Sequence, residues 1–363
     1  MTQTPARPGT PAAARPPLAQ GAFDRVTCFC AGWFLLGLFA DGWSHYHDVR
    51  ESFFTPYHAV LYTGFFSNVA VVAYLLWRAR TSGRSWRDAF PPGYGYTALG
   101  AAIFTAGVGP DLLWHRIFGI EEGIDVLISP THLFLGVGMA MILLGPARAA
   151  FARNDPPRTL DEQLPMILSL AFFFAMISFT LQFAFDSGLA ASNAPLDPAR
   201  ASHPDLAFFL LPFTYYKEAL GVTVVVIHTA LLAGFALYVV RRIQPAFGTF
   251  TVLFGVPAFL MAFLLSNGAL TVYVPTVESL ALGMLSDGLA LWLRPWEGRP
   301  TTARAFAIAV PVLAQAIALL VAQVALGGLW WDVNFVFGSM VFAGVGGLLL
   351  SFLAWPPGLP PRA

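Results

Sequence analysis

Stretches of about 20 mostly apolar residues, the length that crosses the hydrocarbon core of a bilayer as an α-helix, recur along the whole 363-residue chain. Ten such segments centre on 26–44, 57–77, 95–115, 131–152, 164–186, 218–240, 247–266, 271–293, 303–326 and 333–355. Backbone amides and carbonyls in lipid must be satisfied within the protein, which restricts segments of this length to helices. Hydrophobic residues make up 57% of the chain and charged residues 11%, and the mean hydropathy is +0.66, a balance that excludes a water-soluble globule. The expected fold is therefore all-α, a polytopic integral membrane bundle of about ten transmembrane helices. The eighth segment carries Pro275, Glu278, Gly283 and Asp287, which predicts a broken or an interior-facing helix.

Arginines orient the bundle. With the amino terminus in the cytoplasm, Arg7, Arg15, Arg25, Arg78, Arg80, Arg84, Arg87, Arg148, Arg153, Arg158, Arg241, Arg242, Arg294, Arg299, Arg304 and Arg362 fall inside. Arg50, Arg116, Arg200 and Lys217 fall outside, a sixteen-to-four asymmetry that predicts both termini in the cytoplasm. Trp43, Trp114, Trp330 and Trp331 mark the outer boundary, and Trp77, Trp86, Trp292, Trp296 and Trp355 the inner one. Residues 1–22 are rich in Pro and Ala and read as a disordered cytoplasmic tail, 23–355 as the transmembrane bundle, and 356–363 as a second short tail. The expected location is the inner, cytoplasmic membrane of the cell. Cys28 and Cys30 diverge by about 200° on a helix and read as packed or lipid-facing small residues, not a redox pair. Zero net charge without a basic stripe argues against nucleic acid.

Within residues 23–153 one pattern occurs twice, seventy residues apart, and predicts two like helical hairpins, with 160–355 holding the remaining helices. Asp41, His45 and His58 form D-x3-H-x12-H, and Asp111, His115 and His132 form D-x3-H-x16-H. Each aspartate and its first histidine are spaced i, i+4 at the outer end of a span and so share a helical face. Each second histidine follows a capping hydroxyl and a proline, in Thr55-Pro56-Tyr57-His58 and Ser129-Pro130-Thr131-His132. That places the hydroxyl at N-cap, proline at N1 and histidine at N3 of the next helix, turned back towards the preceding one. The positive end of the helix dipole favours neutral imidazole there, the form that binds a metal. Gly64 and Gly138, each six residues beyond its histidine, predict close helix contact. A helix cap alone needs neither two histidines from different helices nor an aspartate, so the pattern points to metal ligands, with copper, non-haem Fe(II) and Zn(II) all compatible.

The run Asp41-Gly-Trp-Ser-His45, followed by Arg50-Glu-Ser-Phe-Phe-Thr-Pro-Tyr-His58 and Tyr62, resembles the copper-site segment in one membrane component of particulate methane monooxygenase and ammonia monooxygenase, the copper membrane monooxygenases. The resemblance spans about residues 36–140. It includes the second His/His motif, where the family carries asparagine at the position of Asp111. It implies copper coordination by Asp41, His45 and His58, a second site nearby, partner membrane subunits, and oxidation of a small apolar substrate drawn from the lipid. Iron and zinc remain the alternatives on ligand type.

Other ionisable residues have milder readings. His47, Asp48 and Glu51 in the first outer loop, and Glu121, Glu122 and Asp125 in the second, each read as solvated loop residues, or as groups that orient imidazoles. Asp186, Asp197, His203 and Asp205 suggest an extracytoplasmic cap or partner surface, or equally a third site. His228, Glu278 and Asp287 lie within spans, where packed polar contacts compete with a proton or ion path. Walker, dinucleotide-binding, nucleophile-elbow and haem-attachment motifs do not occur. Three classes remain: a membrane metalloenzyme of the monooxygenase type, a metal-handling protein without catalysis, and a secondary transporter.

Overall fold

The computed structural model describes residues 20–47, 55–119, 121, 123–153, 157–182, 213–325 and 328–356. The tail assignments at 1–19 and 357–363 lie outside the described residues. So do Arg7, Arg15, Asp48, Arg50, Glu51, Glu122, Asp186, Asp197, Arg200, His203, Asp205 and Arg362.

Every regular element described is helical. The order is α1 (Gln20–Tyr46), α2 (Pro56–Thr81), α3 (Gly95–Phe118), the single turn α4 (Asp125–Ile128), α5 (Pro130–Leu143), α6 (Gly145–Phe151), α7 (Leu160–Thr180), α8 (Phe213–Arg242), α9 (Thr249–Leu264), α10 (Val274–Leu293), α11 (Pro300–Ala325) and α12 (Val333–Ala354). Among the described residues six helices, namely α1, α2, α7, α8, α11 and α12, are long and apolar enough to cross a membrane. The pair α5 and α6, bent by 43°, passes as a seventh when taken as one span. Large apolar side chains such as Phe29, Trp33, Phe66, Trp77, Phe337, Val341 and Leu349 point outward, a surface that water does not tolerate at this scale and lipid does. The chain is a helical, multi-pass membrane protein.

Local chemistry sets several boundaries. Thr55 and Ser129 cap α2 and α5, each accepting the amide of the histidine at N3, with proline in the first turn as expected. Thr159 and Glu162 make a reciprocal capping box at α7. The bend between α5 and α6 follows from Pro146, which cannot continue the amide ladder. The groups freed at the break are taken up by one hydroxyl of α7: Ser169 Oγ donates to the Leu143 carbonyl (2.5 Å) and accepts from the Ala147 amide (3.2 Å).

The first two hairpins, α1/α2 and α3/α5, cross in the same way. A side chain at Gly64 would meet the Phe34 backbone at 2.6 Å, and one at Gly138 the Phe104 backbone at 2.8 Å. Likewise Gly37 abuts Leu61 and Gly107 abuts Leu135. Phe34, Gly37, Asp41 and His45 thus correspond, seventy residues on, to Phe104, Gly107, Asp111 and His115. His58, Leu61 and Gly64 correspond to His132, Leu135 and Gly138 at an offset of seventy-four. The expected close contacts at Gly64 and Gly138 are present. The hairpins meet across an aromatic trio, with Phe34 to Phe104 at 4.9 Å and Phe65 to Phe104 at 4.5 Å between ring centroids, inside a core that also takes residues from α7 and α9.

A second core joins α6 to α11. Here α10 runs unbroken, so of the two readings of its polar residues the interior-facing one holds. Pro275 lies in the first turn, where no intrahelical bond is lost. Gly283 lets the Thr251 backbone approach more closely than any side chain would permit. Asp287, buried against α9, accepts from the Phe250 amide (2.8 Å), the Thr251 amide (3.2 Å) and the Thr251 hydroxyl (2.7 Å). It is a buried cap supplied by a neighbouring helix. Cys28 and Cys30 are both buried and unbridged, so the packed reading replaces the lipid-facing one.

Candidate metal centre

Each aspartate reaches both histidines of its motif. Asp111 Oδ2 lies 3.6 Å from His115 Nε2, and Asp111 Oδ1 lies 3.4 Å from His132 Nε2. Asp41 Oδ2 lies 3.8 Å from His45 Nε2, and Asp41 Oδ1 lies 3.5 Å from His58 Nδ1. Two ligands on a tetrahedral ion with bonds of about 2.0 Å stand about 3.3 Å apart, close to the separations in the second triad. That triad brings one ligand atom from Asp111, His115 and His132 within 4.8 Å of one another.

Why these side chains converge is local. The i, i+4 spacing at the end of α3 stacks Asp111 and His115 on one face, and the Ser129 cap starts α5 so that His132 returns towards them. The His132 ring is fixed by a carbonyl six residues earlier: Nδ1 lies 2.7 Å from the Val126 oxygen of α4. A carbonyl only accepts, so Nδ1 carries the proton. In the neutral ring Nε2 then presents its lone pair to Asp111 Oδ1, a buried oxygen with no hydrogen bond. Two facing lone-pair atoms at 3.4 Å, with Asp111 only 7% exposed, repel each other unless a proton or a cation lies between them.

The first triad is held differently. His58 Nδ1 is 3.0 Å from Thr55 Oγ1, which also accepts the His58 amide at 3.1 Å, so the hydroxyl shares the same ring nitrogen that faces Asp41. Asp41 Oδ1 is also buried without a hydrogen bond. Trp43, between the aspartate and the first histidine, donates Nε1–H to the Ser266 carbonyl just past α9 (3.3 Å) and anchors this end of α1.

The triads are neighbours. His45 interacts electrostatically with His58, His115, His132 and Glu121. Asp41 interacts in the same way with His132, and Tyr62 with both Asp41 and Asp111. The Tyr62 ring also stacks on His58 at 6.1 Å.

Loop residues separate into distinct roles. His47 turns from the triad, stacking on Trp43 at 4.2 Å with Nδ1 at 2.8 Å from the Trp43 oxygen. Asp125 is exposed, as a solvated loop residue should be. Glu121 departs from that reading: its side chain is 12% exposed and its Oε2 lies 3.0 Å from His115 Nδ1. Sequence spacing carried no signal for the Val126 carbonyl. Glu121 showed only as one of several acidic loop residues.

No protein-family model matches the chain, and no curated protein or solved structure matches it. The functional reading therefore rests on the residues themselves.

Proposed function

We propose that the protein is a metal-binding membrane protein whose ions sit at the extracytoplasmic ends of α1 to α5, held by Asp111, His115 and His132 and, beside them, by Asp41, His45 and His58. The reading includes ten spans, with the bent α5/α6 pair as one of them, both termini in the cytoplasm, and two hairpins derived from one ancestral unit. The carrying observation is the His132 ring, whose proton is committed to the Val126 carbonyl at 2.7 Å while its other nitrogen faces an unpartnered buried oxygen of Asp111.

Copper is the proposed ion, on the likeness of the first motif to the copper membrane monooxygenases; iron and zinc suit the same ligands. A copper or iron ion with an open coordination position supplies oxygen activation. The residues contribute the rest: the aspartates offer the anionic oxygens, the Thr55 hydroxyl and the Val126 carbonyl orient the His58 and His132 imidazoles, and the flanking lipid delivers a small apolar substrate. Partner membrane subunits belong to this proposal. A transporter built on His228, Glu278 and Asp287 finds less support, because the Asp287 carboxylate is engaged in capping α9. A metal-handling role without turnover shares the same site and is separated from the oxidative one by assay.

The test is metal content by mass spectrometry on detergent-purified protein beside His45→Ala/His58→Ala and Asp111→Ala/His115→Ala variants. One or two ions per chain, lost stepwise in the variants, supports the centre and justifies oxygen-uptake assays with small hydrophobic substrates. Protein that takes up no copper, iron or zinc on reconstitution sinks it.

A further inference from the structure

Resting on the metal-centre reading above, we infer that Glu121 is part of the second centre, and that with Asp111 it makes this a site for a divalent cation that does not hold Cu(I).

Glu121 lies on the connection after α3, yet both of its carboxylate oxygens are buried without a hydrogen-bond partner. Its Oε2 stands 3.0 Å from His115 Nδ1, while His115 Nε2 faces Asp111 Oδ2 at 3.6 Å. The ring thus has a carboxylate at each nitrogen. His115 Nδ1, like both Glu121 oxygens, is buried without a hydrogen bond, so the 3.0 Å contact sets the carboxylate behind the ring on the side away from Asp111. His132 has its proton set on Nδ1 by the Val126 carbonyl. Two rings from different helices both face one aspartate through Nε2. A carboxylate behind a ligating histidine is the arrangement that orients the ring and raises its basicity, so Glu121 is a positioning residue.

Charge sharpens the inference. Among the described residues the ion pairs of Asp111 and Glu121 are made with His115 and His132 alone. Binding a cation requires neutral imidazoles and ionised carboxylates, so this set of side chains brings two negative charges that need compensation at close range. A divalent ion supplies it. Cu(I) leaves one charge uncompensated, and it favours thiolate and thioether ligands over carboxylates; both cysteines, Cys28 and Cys30, sit towards the opposite end of α1. Asparagine at position 111 would remove one of the two charges, so Asp111 and Glu121 act together in setting the ion's charge.

The experiment uses the full chain in detergent with the first triad disabled by His45→Ala/His58→Ala, so that a single centre is read. Co(II), Zn(II) and Cu(II), and Cu(I) under anaerobic ascorbate, are titrated in competition with a chelator, with bound ions counted by mass spectrometry and the Co(II) visible bands recorded. The expected result is one divalent ion per chain, Cu(I) bound at least about tenfold more weakly, and a loss of roughly 10- to 100-fold in Co(II) affinity with altered bands in Glu121→Gln. Co(II) bound by Glu121→Gln as tightly as by its parent overturns the inference, as does Cu(I) held as tightly as Cu(II). Should Glu121→Gln misfold, the parent's Cu(I)/Cu(II) comparison still decides. A parent that binds no ion, or one whose binding survives Asp111→Ala, instead counts against the metal-centre reading itself.

Discussion

The two triads share ligand types and helix geometry, yet the second is gathered and the first is not. In the second, both imidazoles present Nε2 to one carboxylate, the His132 ring is held from behind by the Val126 carbonyl, and the Glu121 carboxylate lies 3.0 Å behind the His115 ring. In the first, the nitrogen of His58 that faces Asp41 is shared with the Thr55 hydroxyl, and His45 stands 3.8 Å from its carboxylate. Ligand identity and spacing therefore do not fix preorganisation; the groups behind the rings do.

The largest expected effect tests that contrast directly. Asp111→Ala should abolish retention of the tighter ion, a loss exceeding the roughly 10- to 100-fold typical of an outer-sphere change. Asp41→Ala should release only an ion that a weak chelator already strips from the parent. Ion counts after graded chelator washes check both, and release in the opposite order breaks the comparison.

Next in size is the element the triads have in common. Phe104 is 3% exposed and touches Phe34 and Phe65, so Phe104→Ala should cost about 3–5 kcal/mol. It should weaken both sites together, read by thermal unfolding in detergent alongside ion content. A selective loss at one triad would show that the hairpins hold their ligands separately.

Smaller again are the crossings. Gly64→Val and Gly138→Val press a side chain onto Phe34 or Phe104 backbone and should each cost about 1–3 kcal/mol. Similar unfolding shifts for the pair would sharpen the view that the hairpins are equivalent in packing and differ only at their ends. Unequal shifts would locate a difference deeper in the bundle.

Smallest are the caps. Thr55→Ala and Ser129→Ala should each lose about 1 kcal/mol. Only the Thr55 change should alter ion affinity, because Thr55 Oγ1 touches the His58 ring, whereas the His132 ring is braced by Val126. Equal affinity effects in the two variants would contradict this division of labour.

The helical bundle was legible because lipid imposes length and apolarity on each span, and the Thr-Pro and Ser-Pro signals gave the starts of α2 and α5 without ambiguity. A second triad near the first was expected, but its cause was not legible: it arises from Phe34, Phe65 and Phe104 meeting between hairpins, a contact that no local pattern encodes. Glu121 stood among several loop acids able to orient an imidazole, and only the closed chain singles it out. The Thr159-x-x-Glu162 cap was readable from its spacing but stood outside the motif that drew attention. Asp287 is the converse case: of the packed polar contact and the ion path that its place in a span suggested, its oxygens make the packed contact, serving the amides of α9.

That service has a mechanical consequence. At only 16 residues, α9 is a short rod, clamped at its first turn by Asp287 and by Gln163, whose Oε1 accepts from the Thr249 hydroxyl at 3.0 Å. Just beyond its far end, the Ser266 carbonyl takes the indole proton of Trp43, two residues from both Asp41 and His45. A strut fixed at both ends passes displacement along its length, so a shift of α7 or α10 at the first turn of α9 arrives at Asp41 and His45 beyond its other end.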